Sequence, residues 1–211
     1  VEKSVSELTA EYIKGHPAVK SCLKKGLINY SSLARLVAKE LGAEKASKEA
    51  ILVAARRFKE RLSLDFEGER QIASLLSRSE LEIKSKISLF ILEKGINLDR
   101  VDEIQKKVRK ESGTFFLLEG SDNYTIVTQE KFAPLVKSAF LQKTIKSESG
   151  LVLINIKSPK EIQALPGVVA YLSSLFFENG VNILEFISCW TDTLFVIESK
   201  DLNNALNFLK F

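Results

Sequence analysis

No methionine occurs among the 211 residues, and there are only one histidine, one tryptophan, two cysteines and four prolines. Each scarcity closes off a class of function. A structural zinc site takes about four Cys, His or carboxylate ligands; His16 is the sole histidine, and Cys22 and Cys189 lie far apart in the chain. A disulfide framework fails on number. Both cysteines are expected to be buried, reduced thiols. There is no Gly-rich phosphate loop, no GxSxG and no His/carboxylate pair. His16, between Gly15 and Pro17, reads as a turn residue rather than a base. The expectation is a protein that is not an enzyme and holds no cofactor or metal.

Long apolar runs are missing too. None approaches the about 18 residues that span a bilayer, and Val1-Glu2-Lys3-Ser4-Val5 has no apolar signal core. A cytoplasmic protein with no membrane partner is therefore expected. Hydrophobic content of 45% with 27% charged residues suits a folded chain. The net charge of +4 is unevenly spread. Residues 1–66 carry thirteen Lys/Arg against eight Asp/Glu, and residues 67–211 carry eighteen against nineteen. The positive excess belongs to the first part.

The pattern from Ser4 to Leu62 is helical. A first helix breaks near Gly15-His16-Pro17, and a second ends at Gly26. A third, capped by Ser31 or Ser32, has a Leu33/Leu36/Val37/Leu41 stripe and stops at Gly42. A fourth, capped by Ser47, runs from Lys48 to Leu62. Residues 67–80 read as a connector with a short helix from Arg70 to Leu76.

Beyond it the period changes. Leu81 to Leu92 alternates as a long strand. A helix through Lys110, strands at Thr114–Glu119 and Tyr124–Thr128, and a helix from Glu130 to Phe140 follow. The β-α-β-β-α order then recurs, with a strand at Leu151–Ile156 and a helix at Val168–Glu178. Strands at Val181–Trp190 and Thr193–Ser199, turning at Thr191-Asp192, precede a last helix from Leu202. Each unit lacks a fourth strand. Leu141–Ser147 could serve the first; the overlong strand at 81–92, or a partner chain, could serve the second.

The segment opening Leu165-Pro166-Gly167-Val168 and closing Asn179-Gly180-Val181-Asn182-Ile183, continued by Ile187 to Ile197, resembles the ACT domains that end aspartokinases. Residues 81–147 fit as a degenerate copy. The whole layout is similar to archaeal ACT-containing proteins described as predicted regulators of amino-acid metabolism. The resemblance implies an α+β chain: an all-α helix-turn-helix-like module (1–66), a connector (67–80), and tandem ferredoxin-like, ACT-like units (81–147 and 148–211).

It also implies an amino-acid ligand held at Leu165, Pro166, Gly167 and Val168, and at Val181, Asn182 and Ile183. Gly167 lets a ligand approach the backbone, and free N–H groups opening the 168–178 helix suit an α-carboxylate. Asn182 could hydrogen-bond the ligand. Many family members have an acidic residue shortly before the Pro-Gly; this chain has Ala164-Leu165. The blander reading stays open: Pro-Gly starts many helices, and ACT-like units also serve only to dimerise. Trp190, at a strand end, reads as interface packing in preference to stacking a ligand.

In the basic module, Lys45, Lys48, Arg56, Arg57 and Lys59 could meet DNA phosphates. The front of that helix, Ser47-Lys48-Glu49, is poor in base-reading groups, so protein docking or a solvated face stands beside it. Two hypotheses result. In one, an amino-acid sensor acts on DNA or an enzyme, as a homodimer. In the other, an assembly protein dimerises without a ligand and docks a protein partner.

Overall fold

The computed structural model describes residues 3–42, 47–62 and 66–211, without the side chains of residues 66, 67 and 69. They form two compact units, Val1–Phe66 and Glu67–Phe211.

The first unit is helical. Helix α1 (Val5–Gly15) starts at a capping box in which the Ser4 hydroxyl accepts from the Glu7 N–H and Glu7 accepts from the Ser4 N–H. Helix α2 (Pro17–Lys25) has proline at its first position and ends on Gly26 at φ 73°. Helix α3 (Tyr30–Leu41) is capped by Asn29, whose side chain accepts from the Ser32 N–H, not by a serine. Helix α4 (Lys48–Arg61) is capped by Ser47. Ile13, Leu23, Leu33, Val37 and Ile51 fill the core between them. Cys22 and Cys189 are free but exposed, against the expectation of burial. Cys189 ends the strand Glu185–Cys189, opposite Asp192 at the edge of the second unit's sheet, where alternation alone does not bury it.

The second unit opens with α5 (Phe66–Leu76) and then runs β1 (Glu80–Glu93), α6 (Leu98–Lys110), β2 (Phe115–Glu119), β3 (Asn123–Gln129) and α7 (Ala133–Phe140). It continues β4 (Thr144–Lys157), α8 (Val168–Glu178), β5 (Glu185–Cys189), β6 (Asp192–Glu198) and α9 (Leu202–Phe208). All strand pairs are antiparallel, in one six-stranded sheet ordered β2-β3-β1-β4-β6-β5.

The two 14-residue strands explain how the sheet closes. The second half of β1 pairs with β3 and with the first half of β4. The second half of β4 pairs with β6 and with Glu80–Lys84 of β1. Each β-α-β-β-α run thus receives its fourth strand from the other's long strand. A division at 147/148 falls inside β4. Lys86 (φ 55°) and Gly150 (φ 73°) sit where the register shifts, as β-bulges that bend the strands at their crossing.

On one face of the sheet, α6 and α7 cover Phe90, Leu92 and Ile126. Helices α5, α8 and α9 cover Val152, Ile154, Ile156, Phe195 and Ile197. Phe176 of α8 is fully buried against Phe195 and Phe208, at ring distances of 4.5 and 5.2 Å. Leu89, Val127, Leu153 and Val196 form a further buried cluster on the other face. No helix among the described residues is long and apolar enough to cross a membrane.

Candidate functional site

Three short pieces of chain meet at the end of β4. The loop leaving β4 is tied to the β5–β6 turn by the Ser158 N–H, which donates to the Thr191 carbonyl at 2.8 Å. A turn of 3-10 helix (Lys160–Gln163) follows, and then Gly167 caps α8 at φ 93°. That left-handed conformation favours glycine. Gly167 offers no side chain to the helix start, and the first intrahelical bond is from the Tyr171 N–H to the Gly167 carbonyl at 2.9 Å. The N–H groups of Val168, Val169 and Ala170 therefore have no acceptor among the described residues.

These amides border a cavity of about 1030 Å³. Its floor is a cross-strand pair of hydroxyls, Ser188 on β5 and Thr193 on β6. Thr193 is only 1% exposed as a residue, and no hydrogen bond of its hydroxyl is seen among the described residues; the buried side-chain atoms left without a partner there are Gln129 Oε1 and Asn155 Oδ1. Ile162, Leu165 and Val169 make an apolar side, and Trp190 the rim. Among the described residues, no charged side chain lines the cavity. Trp190 is held at φ 51° and is 59% exposed, with Lys160 Nζ 5.3 Å from its ring centre.

Helix α5 stands behind the loop. Ile72 Cδ1 lies 3.6 Å from the point where a Cβ on Gly167 would sit. Leu165 also lines a second hollow of about 440 Å³ shared with Arg70, Ser74 and Arg78. Arg78 pairs with Glu161 at 3.4 Å, and the Ser79 hydroxyl donates to Ser158 Oγ at 2.9 Å.

The first half of the sheet provides an internal comparison. Tyr124, opposite Leu92, holds the register place that Thr193, opposite Ile156, holds in the second half. Glu119 pairs with Tyr124 as Ser188 pairs with Thr193. There the polar groups are satisfied: Glu119 accepts from Lys94 at 2.7 Å and from the Tyr124 hydroxyl at 3.1 Å. Those bonds, Lys94's first, hold the Glu119 carboxyl below its ordinary pKa. Lys94 also lies 4.3 Å above the Tyr124 ring, and Asn97 caps α6. The open arrangement belongs to the second half.

Of the residues expected at the ligand site, the cavity brings together Leu165, Gly167 and Val168, while Pro166 is not in its lining. Val181, Asn182 and Ile183 do not line it either. The α8 end explains why. The Val181 N–H donates to the Phe176 carbonyl at 2.9 Å and the Gly180 N–H to the Phe177 carbonyl at 3.1 Å. This is a Schellman cap, which places Val181 in the core. Ile183 packs on that core, Asn182 is exposed, and β5 starts only at Glu185. A turn at Thr191-Asp192, as the sequence suggests, keeps Ser188 and Thr193 apart; the turn lies at Trp190-Thr191, which puts them opposite one another.

Similarity to known proteins is structural. No protein-family model matches the chain, and no curated protein does. Aspartate kinase from Clostridium acetobutylicum, an allosteric enzyme, matches with a TM-score of 0.50 at 12% identity, over 61% of this chain and 33% of that one. The likeness is to an aspartate kinase. The chain spans about a third of that kinase's length. A putative C-terminal regulatory domain of aspartate kinase from Porphyromonas gingivalis W83 matches with a TM-score of 0.47 at 12% identity, over 62% and 94% of the two chains. The ligand-free regulatory subunit of aspartate kinase from Thermus thermophilus does so at 0.47 and 12%, over 61% and 92%. At such identities the shared feature is the fold, helices on an antiparallel sheet.

In the helical unit, Arg56 and Lys59 line a hollow of about 420 Å³ with Lys24, Tyr30 and Glu60. Arg56 lies 5.5 Å above the Tyr30 ring. Lys48 and Arg57 are exposed and outside that lining, and Lys45 lies outside the described residues. Of the four described basic residues expected to meet DNA, Arg56 and Lys59 thus share one hollow. Among the described residues, no group of three or more His, Cys, Asp or Glu could hold a metal ion.

Proposed function

We propose that this chain is a non-catalytic, ACT-type regulator of amino-acid metabolism whose ligand, an amino acid, sits between the first turn of α8 and the β5–β6 hairpin. The supporting observation is the three uncapped amides of Val168, Val169 and Ala170, which border a cavity that Ser188 and Thr193 also line. A ligand carboxylate meets the N–H groups of Val168, Val169 and Ala170, where the helix dipole favours negative charge. Its ammonium donates to the hydroxyl oxygens of Ser188 and Thr193. Helix α5, whose Ile72 backs Gly167, carries the change of the loop toward the helical, helix-turn-helix-like module. That module acts on DNA or on a partner enzyme, in a homodimer, and its target shifts ligand affinity by the same factor.

A second reading is assembly alone. It is favoured by α8, where Phe177 is 85% exposed. A thermal-denaturation panel of the twenty amino acids separates the two. Stabilisation by at least one is expected; twenty flat curves would leave assembly alone. Salt-dependent retention on duplex DNA, lost in the Arg56→Glu, Lys59→Glu double variant, assigns the target to DNA. Retention indifferent to both salt and substitution assigns it to a protein.

A further inference from the structure

We propose that Trp190 selects the ligand, and that the site takes an amino acid with a large apolar or aromatic side chain and rejects those with charged side chains. This rests on the amino-acid reading above and specifies it. The cavity has a polar end, made of backbone amides and two hydroxyls, and an apolar end made by Ile162, Leu165, Val169 and Trp190. The polar end has donors and acceptors enough for one carboxylate and one ammonium. Among the described residues no charged side chain belongs to the lining, so a second charge has no opposite charge to meet; Gln163 is the one further polar side chain there. A side-chain charge carried there would be desolvated without a partner. The nearest cation on the rim, Lys160, already lies on the indole ring, 5.3 Å from its centre. It repels a basic side chain. The cavity is also roomy, about 1030 Å³, so a small side chain leaves its apolar end wetted and gains little.

Trp190 itself is the independent observation. It occupies the two-residue turn between β5 and β6 at φ 51°, a conformation in which Asn or Gly is at ease and a bulky residue is strained. It is 59% exposed, so packing within the chain offsets little of that strain. Bulky residues held in this way recur at ligand clamps. An indole standing on the rim of an apolar hollow is suited to stack on a flat ring or cover a branched aliphatic group.

Two properties make the test clean. Trp190 is the only tryptophan in the chain, so its fluorescence reports on this turn alone. Trp190→Asn places a residue that tolerates the left-handed turn, and so removes the indole without harming the fold. L-Phenylalanine and L-leucine titrated into the full chain are expected to change the tryptophan emission saturably, and L-aspartate, L-lysine and L-threonine to leave it unchanged. Calorimetry with the same five should rank them likewise. Trp190→Asn should melt no lower than the parent and bind L-phenylalanine about ten-fold more weakly. Binding of aspartate or lysine as tight as phenylalanine overturns the proposed class and leaves the amino-acid reading standing. Equal affinity in the Trp190→Asn variant, or a variant that melts well below the parent, overturns the role of the indole. No heat and no emission change with any of the twenty amino acids overturns both proposals.

Discussion

Thr193 carries the most information of any single residue in the cavity. The residue is 1% exposed and its hydroxyl makes no hydrogen bond among the described residues, and a methyl group in its place removes a polar atom that the fold does not use. Thr193→Val should therefore leave the unfolding free energy unchanged or raise it by up to about 1 kcal/mol. The same change removes one hydrogen bond to the ligand, weakening binding by about three- to ten-fold. Urea denaturation and calorimetry on one preparation check both signs together. A variant that is destabilised would mean that Thr193 serves the fold. The residue could not be singled out from the chain alone, because a threonine in an alternating strand reads the same whether its hydroxyl is paired or not. Gly167 could, because a glycine before a helix with no capping side chain leaves few other conformations.

Among the elements, those built from local rules were legible and those decided by tertiary pairing were not. Helices α1, α2, α4 and α8 begin and end where their caps and glycines say. Val181-Asn182-Ile183 alternates like a strand, but its backbone is taken by the cap of α8 and its apolar side chains by the core. The strand expected at Leu151–Ile156 is longer: β4 runs through Gly150 as a bulge because β1 pairs with both sides. Helix α5 was the least legible. Short and following a charged stretch, it reads as a connector, although Ile72, Leu75 and Leu76 belong to the core beneath α8 and α9. Leu76 is 1% exposed. Leu76→Ala should thus cost about 2–5 kcal/mol in chemical denaturation, and it should loosen the ligand loop that α5 backs. An unchanged midpoint would show α5 to be a tether and remove the proposed route from ligand to helical module.

At the scale of the whole molecule, the sheet is close to symmetric and its chemistry is not. Each long strand lends half its length to the other half of the sheet, so the two β-α-β-β-α runs cannot part without breaking the central ladder. Equal backbones would suggest two equal sites. The side chains decide otherwise. In the first half Lys94, Glu119 and Tyr124 satisfy one another, and Asn97 caps the helix that would receive a carboxylate. In the second half the matching positions are Ser188, Thr193 and Gly167, none of which closes the space. A ligand entering the first half would have to part an ion pair in which both groups also bond or stack on Tyr124, for no new partner. Calorimetric titration should accordingly give one ligand per chain, and the Gly167→Val variant, branched at φ 93°, should lose all binding rather than half. A stoichiometry of two, or half the capacity left in that variant, would mean that the Lys94–Glu119 bridge yields and that both halves sense.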